Sequence, residues 1–167
     1  GVITASGTSS FTTTTAGDDI TLDQISSFTG AVSLNTNAGA GSDASLTNAA
    51  IALDLGASTI GGSLTAETNA GSITDSGILT VGGTSSFTTS TANDDITLDQ
   101  VSLFTGAVSL ATNGATGDIG VTNVGQALNL GTVTTTLGGA LVVETNVGSI
   151  TDSGVITASG TSSFTTT

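Results

Sequence analysis

The acidic side chains are the residues of this sequence whose type and spacing could support chemistry. They are densest in two copies of the heptapeptide DDITLDQ. If residues about 23 positions apart stack on one another, Asp19 lies beside Asp43. The second copy places Asp95 beside Asp118 in the same way. Two carboxylates about 5 Å apart repel by roughly 1 kcal/mol in water and by about 3 kcal/mol at an effective dielectric of 20.

This repulsion has two interpretations, because the net charge is -13 and the chain contains no Lys or Arg to offset it. Calcium binds carboxylate and carbonyl oxygens, which makes Asp19, Asp43, Asp95 and Asp118 candidate calcium ligands and calcium the one candidate cofactor. The other interpretation is a solvated acidic edge that keeps neighbouring molecules apart and soluble. The RTX nonapeptide and the EF-hand loop are both absent from the sequence.

The remaining carboxylates are expected to be structural. Glu67 and Glu144 are equivalent positions of two repeats, and at three rungs apart they would be separated by roughly 15 Å, too far for an acid and base pair. Asp75 and Asp152 fall at positions where alternation points a side chain inward. Each also begins an Asp-Ser-Gly tripeptide, and we expect each to cap a turn.

Composition excludes several classes of function. A chain without Lys or Arg cannot neutralise nucleic-acid phosphates. The absence of Cys and His excludes disulfides, thiol chemistry and Cys/His metal sites. No apolar run approaches the roughly 18 residues of a membrane span, and no basic, apolar leader begins the sequence. We therefore expect no nucleic-acid partner and no membrane span.

Internal repeats dominate the sequence. The motif GTSSFTT begins at positions 7, 83 and 160, which divides the chain into repeats 7–82 and 83–159, with 160–167 starting a third. The first fourteen residues are identical to the last fourteen. We expect residues 1–167 to be a single continuous segment of a longer tandem array.

Each repeat consists of short strand-like runs. In DDITLDQ, Ile20 and Leu22 face one way and the polar residues the other, which is typical of a half-buried strand. We expect rungs of about 23 residues with three short strands each, and longer rungs of about 30–31 residues that carry an insertion. Inward side chains should then form columns. The first column is Phe11, Leu34, Leu64, Phe87, Leu110, Leu141 and Phe164, and the second is Ile20, Ala44, Ile73, Ile96, Ile119 and Ile150.

Three short strands cannot bury their apolar face alone, but stacked units can. The sequence therefore predicts an all-β fold, a parallel β-solenoid in which Phe87 contacts Leu64 and Leu110. An antiparallel sandwich also has short, evenly spaced strands, yet it does not require a fixed period shared by all of its units. Disorder fits the abundant Ser, Thr and Gly, but not the regular spacing of the apolar residues.

The stretch GGSLTAETNAGSITDSGILTVGGTSSFTT resembles the coils of filamentous-haemagglutinin-like exoproteins of two-partner secretion and of related autotransporter adhesins. The resemblance covers the whole chain and lies in the style of the repeat. It implies a right-handed β-helix, a bacterial cell-surface or extracellular location, and adhesive or scaffolding work.

We expect an extracellular structural and adhesive protein that forms a stiff fibre or surface stalk and is not an enzyme. Its expected partners are further copies of the repeat, covalent or end-to-end, neighbouring fibres, and surface glycans. The alternatives are a calcium-stabilised carbohydrate- or surface-binding adhesin, a β-helical polysaccharide-active enzyme, and an ice-binding solenoid. Against the enzyme, the sequence contains no base stronger than a carboxylate. An ice-binding solenoid needs a regular array of outward threonines. The expected outward column is irregular and consists of Thr12, Asn35, Thr65, Thr88, Ala111 and Val142.

Overall fold

A computed structural model describes residues 1–37, 39, 41–49 and 51–167. Within these residues the secondary structure consists of strands, and no helix is present. Every strand pairing is parallel, and the coils stack into a β-solenoid of about seven turns with about 22 residues per turn. The expected all-β parallel solenoid is therefore confirmed.

The strands form two sheets. The nine-stranded sheet contains β1 (Thr4–Ala5), β3 (Ile20–Phe28), β5 (Ala44–Asn48), β8 (Leu64–Thr68), β11 (Ser85–Ala92), β13 (Val108–Asn113), β15 (Leu128–Thr134), β17 (Ile150–Asp152) and β18 (Ile156–Thr157). The ten-stranded sheet contains β2 (Ser9–Thr12), β4 (Val32–Asn35), β6 (Leu53–Leu55), β7 (Ser58–Ile60), β9 (Ile73–Asp75), β10 (Leu79–Val81), β12 (Ile96–Phe104), β14 (Ile119–Asn123), β16 (Leu141–Thr145) and β19 (Ser162–Thr166).

Turn length is nearly uniform, which corrects one expectation. Paired residues are 20 to 24 positions apart throughout the ladder, from Ala44 opposite Leu64 to Ile20 opposite Ala44. The expected class of longer rungs with an insertion is therefore wrong. The long intervals, such as the one from Leu34 to Leu64, lead from one sheet to the other and so cover about one and a half turns.

The sequence repeat corresponds to about three and a half turns, because GTSSFTT recurs at positions 7, 83 and 160 and each turn takes about 22 residues. Equivalent segments consequently alternate between the sheets. The strand containing Phe11 lies in the ten-stranded sheet, the strand containing Phe87 in the nine-stranded sheet, and the strand containing Phe164 again in the ten-stranded sheet. Each repeat is thus turned by half a circle about the axis, and the double repeat restores the original orientation.

The expected columns are wrong where they cross from one sheet to the other. Within one sheet they are correct, except that Leu64 and Phe87, and likewise Leu141 and Phe164, are out of register by two residues. Phe11 pairs with Leu34 and Phe87 with Leu110, as expected. Leu64 pairs with Ser85 instead of Phe87, a register difference of two that keeps both side chains on the inner face. The second column shows the same pattern. Its pairs Ile20–Ala44, Ile73–Ile96 and Ile96–Ile119 are present, whereas Ala44 pairs onward with Leu64 and Ile119 with Leu141.

Three strands per turn occur in only part of the solenoid. The turn 44–63 contains β5, β6 and β7, and the turn 64–84 contains β8, β9 and β10. In the next turn β12 is a single long strand that pairs with both β9 and β10. A register shift between Leu98 and Ser102 lets this strand bend without a break, as a β-bulge does.

The core is a thin apolar column between the sheets, built from aliphatic side chains and a few phenylalanines. Two edge-to-face aromatic pairs lie along it, Phe11 with Phe28 at 5.8 Å and Phe87 with Phe104 at 6.0 Å between ring centroids. Each pair joins residues 17 positions apart and so occurs once per sequence repeat.

We predict that Leu110→Asp lowers the free energy of unfolding by about 3–5 kcal/mol, because it places an uncompensated charge in a dry core. Leu110 is 1% exposed and pairs with Phe87 and Val133. Urea unfolding followed by circular dichroism measures the change. The control Ala111→Asp, on the outer face of the same strand, should change stability by less than about 1 kcal/mol. Equal losses in both variants would show that the assignment of faces is wrong.

Candidate functional site

The acidic residues form ladders along the corners of the solenoid. The Asp19 carboxylate accepts a hydrogen bond from the backbone N–H of Asp43 at 2.8 Å, through Oδ1. Asp43 Oδ1 in turn accepts the N–H of Ser63, one turn further on, at 2.7 Å. The expected stacking of these two aspartates is therefore present, and each carboxylate bonds to the backbone of the next turn.

The second ladder repeats this geometry about half a circle away. Asp95 Oδ1 accepts the N–H of Asp118 at 2.8 Å, and Asp118 Oδ1 accepts the N–H of Ala140 at 2.7 Å. The Asp95 N–H itself donates to Ser72 Oγ in the preceding turn. Asp19 precedes a strand of the nine-stranded sheet and Asp95 a strand of the ten-stranded sheet, so the two ladders lie on different sides.

Charge-assisted hydrogen bonds from backbone N–H groups are roughly twice as strong as neutral ones and partly offset the repulsion between stacked carboxylates. In the described part of the chain, no three Asp, Glu, His or Cys residues come together in a way that could hold a metal ion. Calcium binding at Asp19, Asp43, Asp95 and Asp118 therefore stays a prediction. Any bound cation would have to complete its shell with carbonyl oxygens, hydroxyls or water.

A surface cleft of about 200 Å³ lies next to the first ladder. Asp19, Asp43 and Ser63 form its corner side, and the outward hydroxyls of the nine-stranded sheet form the rest. Thr21, opposite Ser45, and Ser45, opposite Thr65, supply those hydroxyls from three successive turns. The cleft thus combines carboxylates and hydroxyls at the spacing of the rungs, about 4.8 Å.

Capping of a neighbouring turn is the commonest role of aspartate in this protein. In the described residues, most of the aspartates accept a backbone N–H that lies one turn away. They are Asp19, Asp43, Asp54, Asp75, Asp94, Asp95 and Asp118.

Asp75 is the carboxylate that the fold buries, and the expectation that it caps an Asp-Ser-Gly turn is wrong. It lies in β9, is 5% exposed, and points inward. Its Oδ1 accepts the N–H groups of Asp99 at 2.9 Å and Gln100 at 3.4 Å, and its Oδ2 accepts the Ser102 hydroxyl at 3.4 Å. It thereby satisfies N–H groups at the bulge of β12, which the regular ladder leaves unpaired.

Burial raises the pKa of Asp75 above its ordinary value of 3.8, because the charged form loses solvation. The backbone N–H groups of Gln100 and Asp99 act on the pKa in the opposite direction. The charge of Asp99 adds to the rise, and the hydrogen bond from Ser102 lowers the pKa. The equivalent Asp152 lies in β17, where its side chain is exposed.

Two buried asparagines are not predicted by the sequence analysis. Asn48 and Asn123 are both fully buried. Their Oδ1 atoms accept the N–H groups of Phe28 and Phe104, each at 2.9 Å, on the inner side of the two bent strands. Both asparagines occupy an inward position of the alternating pattern and directly follow a threonine. This combination could have identified them. Their role is structural, because their Nδ2 atoms also donate to backbone carbonyls.

Exposed asparagines hold neighbouring turns together, and the two glutamates lie in different sheets. Asn37 donates to the carbonyl of Thr14, and Asn113 to the carbonyl of Ser90, each one turn away. Glu67 is partly buried in the nine-stranded sheet and Glu144 is exposed in the ten-stranded sheet. A pair of glutamates separated in this way cannot act as acid and base on one substrate.

A model of the family described as "Repeats of unknown function (DUF5649)" matches residues 1–35, 41–111 and 116–167. Neither the curated proteins nor the solved structures contain a significant match to the chain. Among the residues that the structure describes, no helix has the length and apolar character needed to cross a membrane.

The carboxylate hydrogen bonds can be tested at Asp118. We predict that Asp118→Asn is more stable to urea unfolding than Asp118→Ala by about 1 kcal/mol, because only Asn keeps an acceptor for the Ala140 N–H. Both substitutions remove the repulsion with Asp95, so their difference isolates the hydrogen bond. The control pair is Asp23→Asn and Asp23→Ala, because among the described residues the Asp23 carboxylate accepts a hydrogen bond from the adjacent Gln24 side chain and none from another turn. A similar Asn–Ala difference at Asp23 would refute the inter-turn role.

Asp75 predicts a specific pH dependence of stability. Because its pKa is raised in the folded state, its contribution to stability is complete below pH 3.8 and is lost as pH rises through the raised value. Asp75→Asn should therefore reduce the decline of the thermal midpoint across that range. The matched control is Asp152→Asn, in the same tripeptide but exposed. The assignment fails if Asp75→Asn and Asp152→Asn show the same pH profile.

Proposed function

We propose that this chain, which belongs to the family of repeats of unknown function DUF5649, is a structural and adhesive protein that works as a stiff rod outside the cell or on its surface. Its mechanical unit is the turn, which bonds to the turns before and after it through both sheets. The observation that carries the proposal is the parallel ladder between Thr4 and Thr166, in which the strands of the inner turns pair with strands one turn before and one turn after them.

The half-turn offset between repeats supports this role. Each repeat extends the rod by about three and a half turns, or roughly 17 Å at the rung spacing. It also places the same surface on alternate sides of the rod. A rod of this kind presents its acidic ladders in two directions, so it can engage partners on opposite sides, and linked weak contacts gain strength through multivalency.

The cleft at Asp19 and Asp43 is the surface that best supports adhesion. Its carboxylates and the hydroxyls of Thr21, Ser45 and Thr65 could bind the hydroxyl groups of a surface glycan, directly or through calcium. A calcium-stabilised, carbohydrate- or surface-binding adhesin is accordingly the second candidate function, and it uses the same rod.

The location and the absence of catalysis are part of the proposal. The resemblance to filamentous-haemagglutinin-like and autotransporter adhesins supports an extracellular or cell-surface site. The lack of Lys and Arg supports it too, because trypsin-like proteases then have no cleavage site. We assign no reaction to the chain, since its buried carboxylate, Asp75, is engaged by backbone N–H groups and the Ser102 hydroxyl.

If the protein is a rigid rod, its length should increase linearly with the number of repeats. Chains extended by one, two and four further double repeats should appear in electron micrographs as rods that lengthen by roughly 34 Å per double repeat, about seven turns at the rung spacing. A flexible string of domains would instead lengthen with about the square root of the repeat number. Square-root scaling would refute the rod. The control is the same series with Leu110→Asp in each double repeat, which should lose rigidity.

Calorimetry separates the two adhesive candidates. If the cleft binds calcium, titration of calcium into the protein should release or absorb heat. The double variant Asp19→Asn/Asp43→Asn should lose the heat that comes from calcium binding at this cleft. The Asp23→Asn variant is the control. Absence of any calcium heat at millimolar concentration would leave the solvated acidic edge as the explanation of these aspartates.

A further inference from the structure

The sequence contains a single Asn-Gly dipeptide, formed by Asn113 and Gly114. Asn113 is the exposed last residue of β13, and Gly114 begins the corner that follows this strand. The backbone N–H of Gly114 donates a hydrogen bond to Oδ1 of Asn113 at 2.9 Å. The side-chain amide of Asn113 is therefore folded back onto the backbone nitrogen of the next residue.

The corner requires glycine at position 114. Gly114 has a φ of 89°, which lies in the left-handed region that glycine tolerates. A Cβ atom at this position would lie 2.6 Å from the backbone nitrogen of Asn93, in the preceding turn. The Gly114 carbonyl accepts a hydrogen bond from the hydroxyl of Thr136, in the following turn. Gly114 is thus enclosed between two turns, and the position has no room for a side chain that would hinder attack on Asn113.

The preceding turn also holds Asn113 in place. Its Nδ2 donates to the carbonyl of Ser90 at 2.9 Å, and its own carbonyl accepts the N–H of Asn93 at 2.8 Å. Two groups that are fixed next to one another react as if each were present at a very high concentration. Here the fixed groups are the backbone nitrogen of Gly114 and the amide carbon Cγ of Asn113, which carries Oδ1.

We propose that Asn113 is a site of spontaneous covalent modification, at which the side-chain amide becomes a carboxylate through a cyclic imide. The Gly114 nitrogen loses its proton to hydroxide and forms a bond to Cγ, while the bond between Cγ and Nδ2 breaks and Nδ2 leaves as ammonia. One water molecule then opens the ring. Cleavage between Cγ and the Gly114 nitrogen gives aspartate, and cleavage between that nitrogen and the backbone carbonyl carbon gives isoaspartate.

Either product loosens the corner between two turns. An aspartate at position 113 has no Nδ2 donor, so the carbonyl of Ser90 loses its hydrogen bond. The new carboxylate also adds a negative charge to a chain that has a net charge of -13 and no Lys or Arg. Isoaspartate lengthens the main chain by a methylene group at the end of β13, where Asn113 pairs with Ala92. Because ammonia is lost, the modified fraction increases with the age of the protein, whichever function the rod has.

The same chain offers a matched control at Asn37, the equivalent residue one sequence repeat earlier. The Asn37 side chain donates to the carbonyl of Thr14 in the preceding turn, as that of Asn113 donates to Ser90. In the sequence, however, Asn37 is followed by Ala38 instead of glycine. A side chain on the residue that supplies the attacking nitrogen hinders its approach to Cγ. Conversion at Asn37 should therefore be slower than at Asn113 by at least about tenfold.

Digestion with a protease that cleaves before aspartate follows both positions in the full-length protein. The sequence gives fragment 99–117 for Asn113 and fragment 23–42 for Asn37. After incubation of the folded protein at mildly alkaline pH, an aspartate at position 113 creates a new cleavage site. Isoaspartate leaves fragment 99–117 uncut but heavier, because a hydroxyl replaces an amino group. Mass spectrometry at successive times measures both products, and their rate of formation should rise with pH because the attacking nitrogen must lose its proton.

The relative rates at the two asparagines decide the proposal. Faster conversion at Asn113 supports it, whereas equal rates at Asn113 and Asn37, or no conversion at Asn113, would overturn it. The variant Asn113→Gln should keep fragment 99–117 unmodified, because the longer side chain must close a larger ring. An unchanged rate of ammonia loss from this fragment in Asn113→Gln would place the reaction at another residue and refute the assignment.

Two aspartate variants test the loosened corner. Asn113→Asp removes the donor to Ser90 and should lower the urea midpoint of unfolding. Asn35→Asp adds the same charge but keeps an acceptor for the N–H of Thr59, which Asn35 Oδ1 accepts at 3.3 Å. It should therefore lower the midpoint less. Equal shifts in both variants would show that the added charge alone acts, and would contradict the loss of a hydrogen bond between turns.

Discussion

The structure depends on how backbone groups are satisfied where the chain changes direction between turns. Along the flat parts, each turn pairs with its neighbours through the parallel ladder. At corners and bulges that pairing is interrupted, and an unpaired N–H in the interior costs about as much as a lost hydrogen bond. Aspartate fills this need at Asp75 and along both ladders, asparagine at Asn48 and Asn123, and buried threonines such as Thr112 bond to carbonyls across the corner.

The half-turn offset explains both what the sequence predicts and where it misleads. Alternating polar and apolar residues around Ile20 and Ile96, together with a fixed period, predict stacked parallel strands. They do not reveal that the two segments lie in different sheets, because a repeat of three turns and one of three and a half turns carry the same local pattern. The repeat length could have suggested the offset. A division of the repeat into three and a half turns keeps each turn near 22 residues, whereas a division into three turns makes each turn longer.

The candidate site could be predicted in part for similar reasons. Stacking of Asp19 on Asp43 follows from spacing alone, because the intervening turn has a regular length. The inward position of Asp75 could not be decided, since Asp-Ser-Gly fits a turn as well as the end of a strand. Its environment is set by the bulge in the next turn, between Leu98 and Ser102, and a bulge is a property of two paired strands that one segment does not encode.

Because the chain has no Lys or Arg, the carboxylates of each turn depend on neighbouring turns for the donors that stabilise their charge. In a protein with Lys or Arg, a surface carboxylate can find a partner whether or not the adjacent turn is folded. Here the carboxylates of Asp19, Asp95 and Asp118 find their donors in the backbone of the following turn. Each added turn therefore brings donors for charges already present, in addition to apolar cover. Stability then grows with nearest-neighbour contacts, as in other solenoids.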